Sequence, residues 1–183
     1  VSQRSEGWVL VPDRYDDDVS RAALVERFGL EDPHGRLCFV AVQRGEGWPF
    51  LVIAQRYSPS GSGFDACVTL VPETNVLFVG AGERVLAYDL VRVARLWEDD
   101  AEMGFLDWQR HADVVVMSAE LELAAWSLDG TKLWTTFVEP PWTYTVAVGE
   151  VELDVMGRRS RFDLRRGPGQ GIATRPTRGF AAW

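Results

Sequence analysis

The chain repeats itself, and no other feature of its 183 residues constrains its fold as much. Val76 to Trp97 reads VLFVGAGERVLAYDLVRVARLW, and Asp113 to Trp134 reads DVVVMSAELELAAWSLDGTKLW. Glu83, Leu86, Ala87, Leu96 and Trp97 fall on Glu120, Leu123, Ala124, Leu133 and Trp134, all displaced by one interval (134 − 97 = 37). A third copy, GEVELDVMGRRSRFDL, begins at Gly149 and places Glu150 on Glu120 (150 − 120 = 30). Recurrence on this scale predicts stacked supersecondary units, each burying its apolar face against its neighbours.

From Leu37 onward the apolar pattern has a period of two. LCFVAVQ and FLVIAQRY flank the turn-forming RGEGWP and predict a hairpin. Further strand-like runs follow: ACVTLVP, VLFVG, RVLAYDL, ARLWED, GFLDWQR, VVVMSA, LELAAWSL, KLWTTFV, YTVAVG, VELDVM and RSRFDLR. Turn signals separate most of them, at Pro72 with Asn75, Gly80 with Gly82, Asp129 with Gly130, and Gly157. About a dozen short strands in this pattern predict an all-β antiparallel meander. It would be organised as a small or partial propeller-like repeat, with a two-sheet β-sandwich as the alternative. Within the repeats, Leu86, Tyr88 and Leu90, then Leu121, Leu123 and Ala125, then Val151, Leu153 and Val155 occupy alternate positions and form the expected core face. Asp89, Glu122, Glu152 and Asp154 fall on the other face.

The first 36 residues have a different pattern. Ala22, Ala23, Leu24, Val25 and Phe28 form a rough helical stripe, Asp18 or Ser20 can cap its start, and Gly29 can end it. One short N-terminal helix is therefore expected. The preceding Asp16, Asp17 and Asp18 are explained by a negative first turn rather than a metal site. The resulting organisation is a single β domain over 1–166, comprising an N-terminal segment (1–36), a hairpin region (37–72) and the repeats (73–166). A flexible Gly/Pro/Arg tail follows over 167–183, from which Phe180 and Trp183 are expected to dock on the body or on another protomer.

The stretch LELAAWSLDGTKLW, with its Asp129-Gly130 turn and closing Leu133-Trp134, resembles the blade repeat of quinoprotein-like (PQQ-type) β-propellers. LAYDLVRVARLW is similar, with Val91-Arg92-Val93 in place of the Asp-Gly turn, and the third copy has Phe162 near the place of the tryptophan. The likeness covers about half the chain. It implies that the tryptophan ending each repeat packs between blades and that the glycine turn joins two strands. It also directs attention to a quinone, but the chain holds material for only three or four blades, so no cofactor is expected.

Charge is unevenly distributed. Residues 157–183 carry Arg158, Arg159, Arg161, Arg165, Arg166, Arg175 and Arg178 against Asp163, a balance of +6 (7 − 1), and the rest carries −14 (12 − 26). The arginines are expected to lie along the body's own acidic surface rather than on nucleic acid, whose phosphates a body at −14 would repel. Lys132 is the only lysine beside 18 arginines, a bias that suggests a bacterial source. Every apolar run is cut well short of the roughly 20 residues needed to span a bilayer, and VSQRSEGWVLVP lacks the form of a secretory leader. A cytoplasmic, non-membrane protein is the expectation. Cys38 and Cys67 lie in apolar runs and are expected to be buried free thiols, a strand-bridging disulfide being the alternative.

Candidate sites are few. Asp107, Arg110, His111 and Asp113 bring a histidine near carboxylates, but their placement across strand and turn does not require them to converge. Glu98, Asp99, Asp100 and Glu102 form an acidic run without the glycine-turned alternation of a calcium loop, and no metal site is expected. GAGERV lacks the last glycine of a dinucleotide fingerprint, and SPSGSG lacks the spacing of a nucleophile elbow. Trp126, Trp134, Phe137, Trp142 and Tyr144 crowd into one stretch. Of these, Trp142, Tyr144 and Trp126, with His111 and Arg110, are the candidate ligand or partner contacts. With no credible nucleophile, metal set or phosphate loop, a non-catalytic interaction module is expected. It would bind a basic protein or self-associate, in a regulatory or toxin-neutralising role. The alternative is a small-ligand sensor or enzyme with its site between blades near His111 and Trp142.

Overall fold

The computed structural model describes residues 21–31, 34–58 and 64–169, and the backbone of 4–5 and 8–10. Sixteen strands are present among them: β1 (Arg4–Ser5), β2 (Trp8–Leu10), β3 (Leu24–Phe28), β4 (Arg36–Arg44), β5 (Leu51–Tyr57), β6 (Cys67–Val71), β7 (Val76–Ala81), β8 (Arg84–Asp89), β9 (Ala94–Asp100), β10 (Phe105–His111), β11 (Val114–Ala119), β12 (Glu122–Ser127), β13 (Lys132–Phe137), β14 (Trp142–Ala147), β15 (Glu150–Val155) and β16 (Arg158–Asp163). They form four small sheets in chain order. The first is β1-β2-β4-β5-β3, the second β6-β7-β8-β9, the third β10-β11-β12-β13 and the fourth β14-β15-β16. The last three are plain antiparallel meanders, as the turn-punctuated period of two predicts.

Leu24–Phe28 corrects the expected N-terminal helix. The segment is a strand running parallel to β5, with Leu24 opposite Leu51 and Phe28 opposite Gln55. Leu24 and Phe28, four positions apart, satisfy a helical and a strand period equally. The free edge of β5 decides between them by pairing five residues of backbone that a short isolated helix would hold only marginally. Alternation then turns Leu24 and Phe28 toward the first core, while Glu26 accepts a hydrogen bond from the Tyr88 hydroxyl at 2.5 Å. Gly29, at φ +62°, ends a strand instead of a helix. Asp16 to Ser20 lie outside the described residues, as do Phe180 and Trp183.

Three cores fill the gaps between successive sheets. Val40, Leu51 and Ile53 of the first sheet meet Leu77, Leu86 and Tyr88 of the second. Phe78, Val85 and Ala87 of the second meet Phe105, Met117 and Trp126 of the third. Val114, Leu123 and Ala125 of the third meet Val151, Leu153 and Phe162 of the fourth. Each large side chain removed from water in this way contributes roughly 1.5–3 kcal/mol. The expected core face is therefore buried at Leu86, Tyr88, Leu90, Leu123, Ala125, Val151 and Leu153 and half-buried at Leu121 and Val155, and the opposite face is buried at Val85 and Ala87 of β8 and Ala124 and Trp126 of β12. A sheet inside a stack has a neighbour on each side, so both of its alternating sets become core. The fourth sheet keeps a polar outer face, where Glu152 and Asp154 pair with Arg161 and Arg159.

The tryptophans that end the repeats act as sheet spacers. Trp97 stacks on Trp126 of the next sheet at 5.3 Å and donates its indole N–H to the Gly130 carbonyl at 2.6 Å. Trp134 meets Phe162 edge-on at 5.4 Å and donates to the Leu164 carbonyl at 2.7 Å. Phe162 thus occupies the place of Trp126 (162 − 126 = 36), not that of Trp134. β15, the second strand of its sheet, matches β11 and not β12. The third repeat is one strand out of the frame that alignment on Glu120 and Glu150 implied, because alternating strands of equal length look alike in sequence. Glycine is required in the turns that cover these indoles. A β-carbon at Gly130 would lie 3.0 Å from Leu96, and one at Gly167 would overlap Trp134. In the first repeat Val93 takes the left-handed conformation (φ +53°) that Gly130 takes in the second (φ +87°).

Candidate functional site

Strand direction alternates along each meander, so the connections after β5, β7, β9, β11 and β13 gather on one rim. Two depressions there share Glu83 and Asp100 and run together as a trough. One, of about 380 Å³, lies between the first and second sheets and includes Gln55, Tyr57 and Gly82. The other, of about 590 Å³, lies between the second and third sheets and includes Asp99, Glu102, Glu122, Lys132 and Thr135.

The carboxylates of this trough have different partners. Glu122 accepts from the Thr135 hydroxyl at 2.5 Å and from the Glu102 amide at 3.3 Å. Lys132 sits with its Nζ 2.7 Å from Asp99, 3.8 Å from Glu122 and 5.2 Å from the centre of the Trp126 ring. The chain thus places its one ammonium between two carboxylates and over an indole face, an arrangement that favours a cation both electrostatically and through the ring quadrupole. Glu98 is taken by Arg84 at 2.8 Å and Arg95 at 2.6 Å. Glu83, Asp100 and Glu102 make no ion pair among the described residues. The acidic run 98–102 is therefore the end of a strand and its connection, with its side chains sent to different neighbours, and no group of three or more potential metal ligands occurs among the described residues.

The trough's first compartment holds one unsatisfied acceptor. Gln55 is 1% exposed, and its Nε2 donates to the Ala81 carbonyl at 2.5 Å, while its Oε1 is buried without a hydrogen-bond partner. A buried acceptor left unpaired costs about 1–3 kcal/mol. The amide that follows the apolar run FLVIA is the signal that could have drawn attention to it. Glu83, in the turn before β8, and Glu122, at the start of β12, carry no local signal that joins them.

Of the residues singled out from sequence, Trp142, Tyr144 and His111 come together and the other two do not join them. Trp142 and Tyr144 stack at 6.2 Å and 26°, and His111 lies edge-on to Tyr144 at 6.2 Å. Trp142 opens β14, half-buried, and donates to the Glu120 carbonyl at 3.0 Å. With Leu106, Ser118 and Pro141, the pair borders a depression of about 420 Å³. The Tyr144 hydroxyl and His111 Nε2 are buried without hydrogen-bond partners. Burial, aided by the charge of Asp107, holds the Tyr144 phenol well above its ordinary range, and burial pushes His111 down. Arg110 instead forms a two-pronged pair with Glu73 at 2.8 and 3.0 Å, Asp113 pairs with Arg165, and Trp126 lies in the second core. The Asp107–Asp113 constellation thus disperses among separate partners.

Both cysteines are free. Burial raises both thiols, Cys38 to about 11, with a smaller push on Cys38 from Cys67. Arg159, Arg161 and Arg165 pair with the body's own carboxylates, as the charge distribution predicts, while Arg175 and Arg178 lie outside the described residues. No helix among the described residues is long and apolar enough to cross a membrane.

No protein-family model and no curated protein matches the sequence. Among solved structures, the chain is similar to BamB from Moraxella catarrhalis, with 16% identity and a TM-score of 0.43 over 78% of this chain and 50% of that one. It is also similar to Kluyvelomyces marxianus Hsv2, with 10% identity and a TM-score of 0.36 over 71% of this chain and 46% of that one. The chain spans about half the length of each structure.

Proposed function

We propose that this chain is a non-catalytic protein-interaction module that receives a basic segment of a partner protein in its acidic rim trough. The observation that carries this reading is the continuity of the trough past Glu83, Asp100 and Glu102, three carboxylates with no ion pair among the described residues. Lys132, held by Asp99, Glu122 and Trp126, supports it as a worked example of how the rim accommodates an ammonium. A regulatory or toxin-neutralising role in a bacterial cytoplasm is the biological use we attach to this activity. Titration calorimetry with an acetylated pentalysine peptide tests it. Binding that weakens steeply with added salt, and weakens again in Asp100→Asn/Glu102→Gln, is expected. Absence of binding at low salt would overturn the proposal.

A second reading is favoured by the stacked Trp142–Tyr144 pair over its own depression, with an unpartnered hydroxyl beside it. Such a pair is a platform for a planar or sugar ring. Tryptophan fluorescence that a panel of nucleosides and sugars leaves unchanged would dismiss it.

A further inference from the structure

We infer that the Gln55 compartment of the trough is a receptor for a lysine side chain of the bound segment, with the ammonium donating to Gln55 Oε1 and to the carboxylates of Glu83 and Asp100. The inference rests on the trough reading and specifies its deepest contact. Gln55 is buried, its nitrogen is already committed to the Ala81 carbonyl, and that commitment fixes its oxygen as the free, acceptor end. Gln55 lines the same depression as Glu83 and Asp100. A neutral hydroxyl would satisfy the amide oxygen and leave both carboxylates unserved, whereas an ammonium carries three donors and a charge.

Two cations already border the compartment, and neither fills this role. Arg84 is directed to Glu98 at 2.8 Å and over the Phe28 ring at 4.7 Å. Arg56 follows Gln55 in the strand, so its side chain projects to the opposite face, and it donates to the Gly35 carbonyl at 3.3 Å. Lysine fits better than arginine because one amide oxygen in a depression shared with two separate carboxylates suits a compact point donor. The planar guanidinium fork instead favours two coplanar oxygens of one group. Access depends on Gly82. A β-carbon there would come 2.8 Å from the Tyr57 side chain, so any larger residue would displace the wall of the compartment.

The test titrates acetylated pentalysine and acetylated pentaarginine into the wild-type chain and into Gln55→Met, which keeps the volume and removes the acceptor. Pentalysine affinity is expected to fall about tenfold in Gln55→Met, with a smaller change for pentaarginine. The side-chain amide resonances of Gln55 in the wild-type protein should shift as pentalysine is added, a readout that does not depend on how the variant folds. If pentalysine binds with steep salt dependence but Gln55→Met binds equally well, or the amide resonances stay still, the lysine receptor is overturned and the trough reading stands. Equal losses for both peptides would overturn the choice of lysine. No pentalysine binding to the wild-type chain would overturn both readings.

Discussion

Trp97 and Trp126 lie face to face at 5.3 Å and 19° across the gap between the second and third sheets, and the Trp97 N–H closes on the Gly130 carbonyl beyond it. The contact explains why the repeat ends in tryptophan. A single side chain supplies the apolar area that spaces two sheets and a donor for a turn carbonyl that the next sheet brings close. Trp126 is fully buried, and truncating it to alanine should cost about 3–5 kcal/mol in urea unfolding. A double-mutant cycle with Trp97→Phe should return a coupling of about 0.5–1.5 kcal/mol, whereas additive losses would mean that the stacking contributes nothing.

Val148 is a β-branched residue held at φ +50° in the β14–β15 turn and fully exposed. Nothing in the fold compensates the steric cost, which is about 1–2 kcal/mol for a left-handed residue with a branched β-carbon. Val148→Asn should raise stability by about 1 kcal/mol, since asparagine tolerates this conformation. Gly130→Ala should do the reverse, losing about 1–3 kcal/mol, because φ is +87° there and the methyl would meet Leu96. Chemical denaturation of the two variants would show opposite shifts in midpoint.

Acid should act through His111. Burial lowers its pKa below 6.5, so the unfolded chain takes up a proton that the folded chain refuses. Stability from this group is complete above 6.5 and is lost as the pH falls from there through the depressed value. The urea midpoint of wild type should decline over that window, and His111→Gln should flatten the decline. Equal slopes would mean that His111 is as free to charge in the folded chain as in the unfolded one.

Removing Lys132 should open the trough. Lys132→Met takes away the ammonium between Asp99 and Glu122, leaving two more carboxylates for a bound peptide. Pentalysine affinity should rise severalfold and become more salt-sensitive. A loss of affinity would show that Lys132 organises the site rather than competes for it.

Cys38, with its thiol raised to about 11, should resist alkylation at neutral pH until the chain unfolds, and the half-buried Cys67 should be modified first. Mass-mapped labelling with iodoacetamide over time checks the order.

Strand positions were legible because LCFVAVQ and VVVMSA are short apolar runs rich in β-branched residues, and turns because glycine, asparagine and proline punctuate them. The spacer role of Trp97 and Trp134 was legible through the repeat and the resemblance it carries. Leu24–Phe28 was not, since five residues fit both periods and the deciding partner, the edge of β5, is distant in sequence. The frame of the third repeat was hidden because its final strand, the one that carries tryptophan in the other two repeats, has no counterpart among the described residues. Of the trough, only the run 98–102 stood out. Gln55, Glu83 and Glu122 come to line one trough through the stacking of sheets, which no local pattern reports.

Hydrogen exchange at the indole nitrogens tests the stacked repeat most directly. The Trp97 and Trp134 N–H groups donate to carbonyls of the following sheet, whereas Trp48 is 62% exposed. The Trp97 and Trp134 indole protons should exchange only through global opening, orders of magnitude more slowly than that of Trp48. Exchange of all three at the same rapid rate would contradict the fold described above.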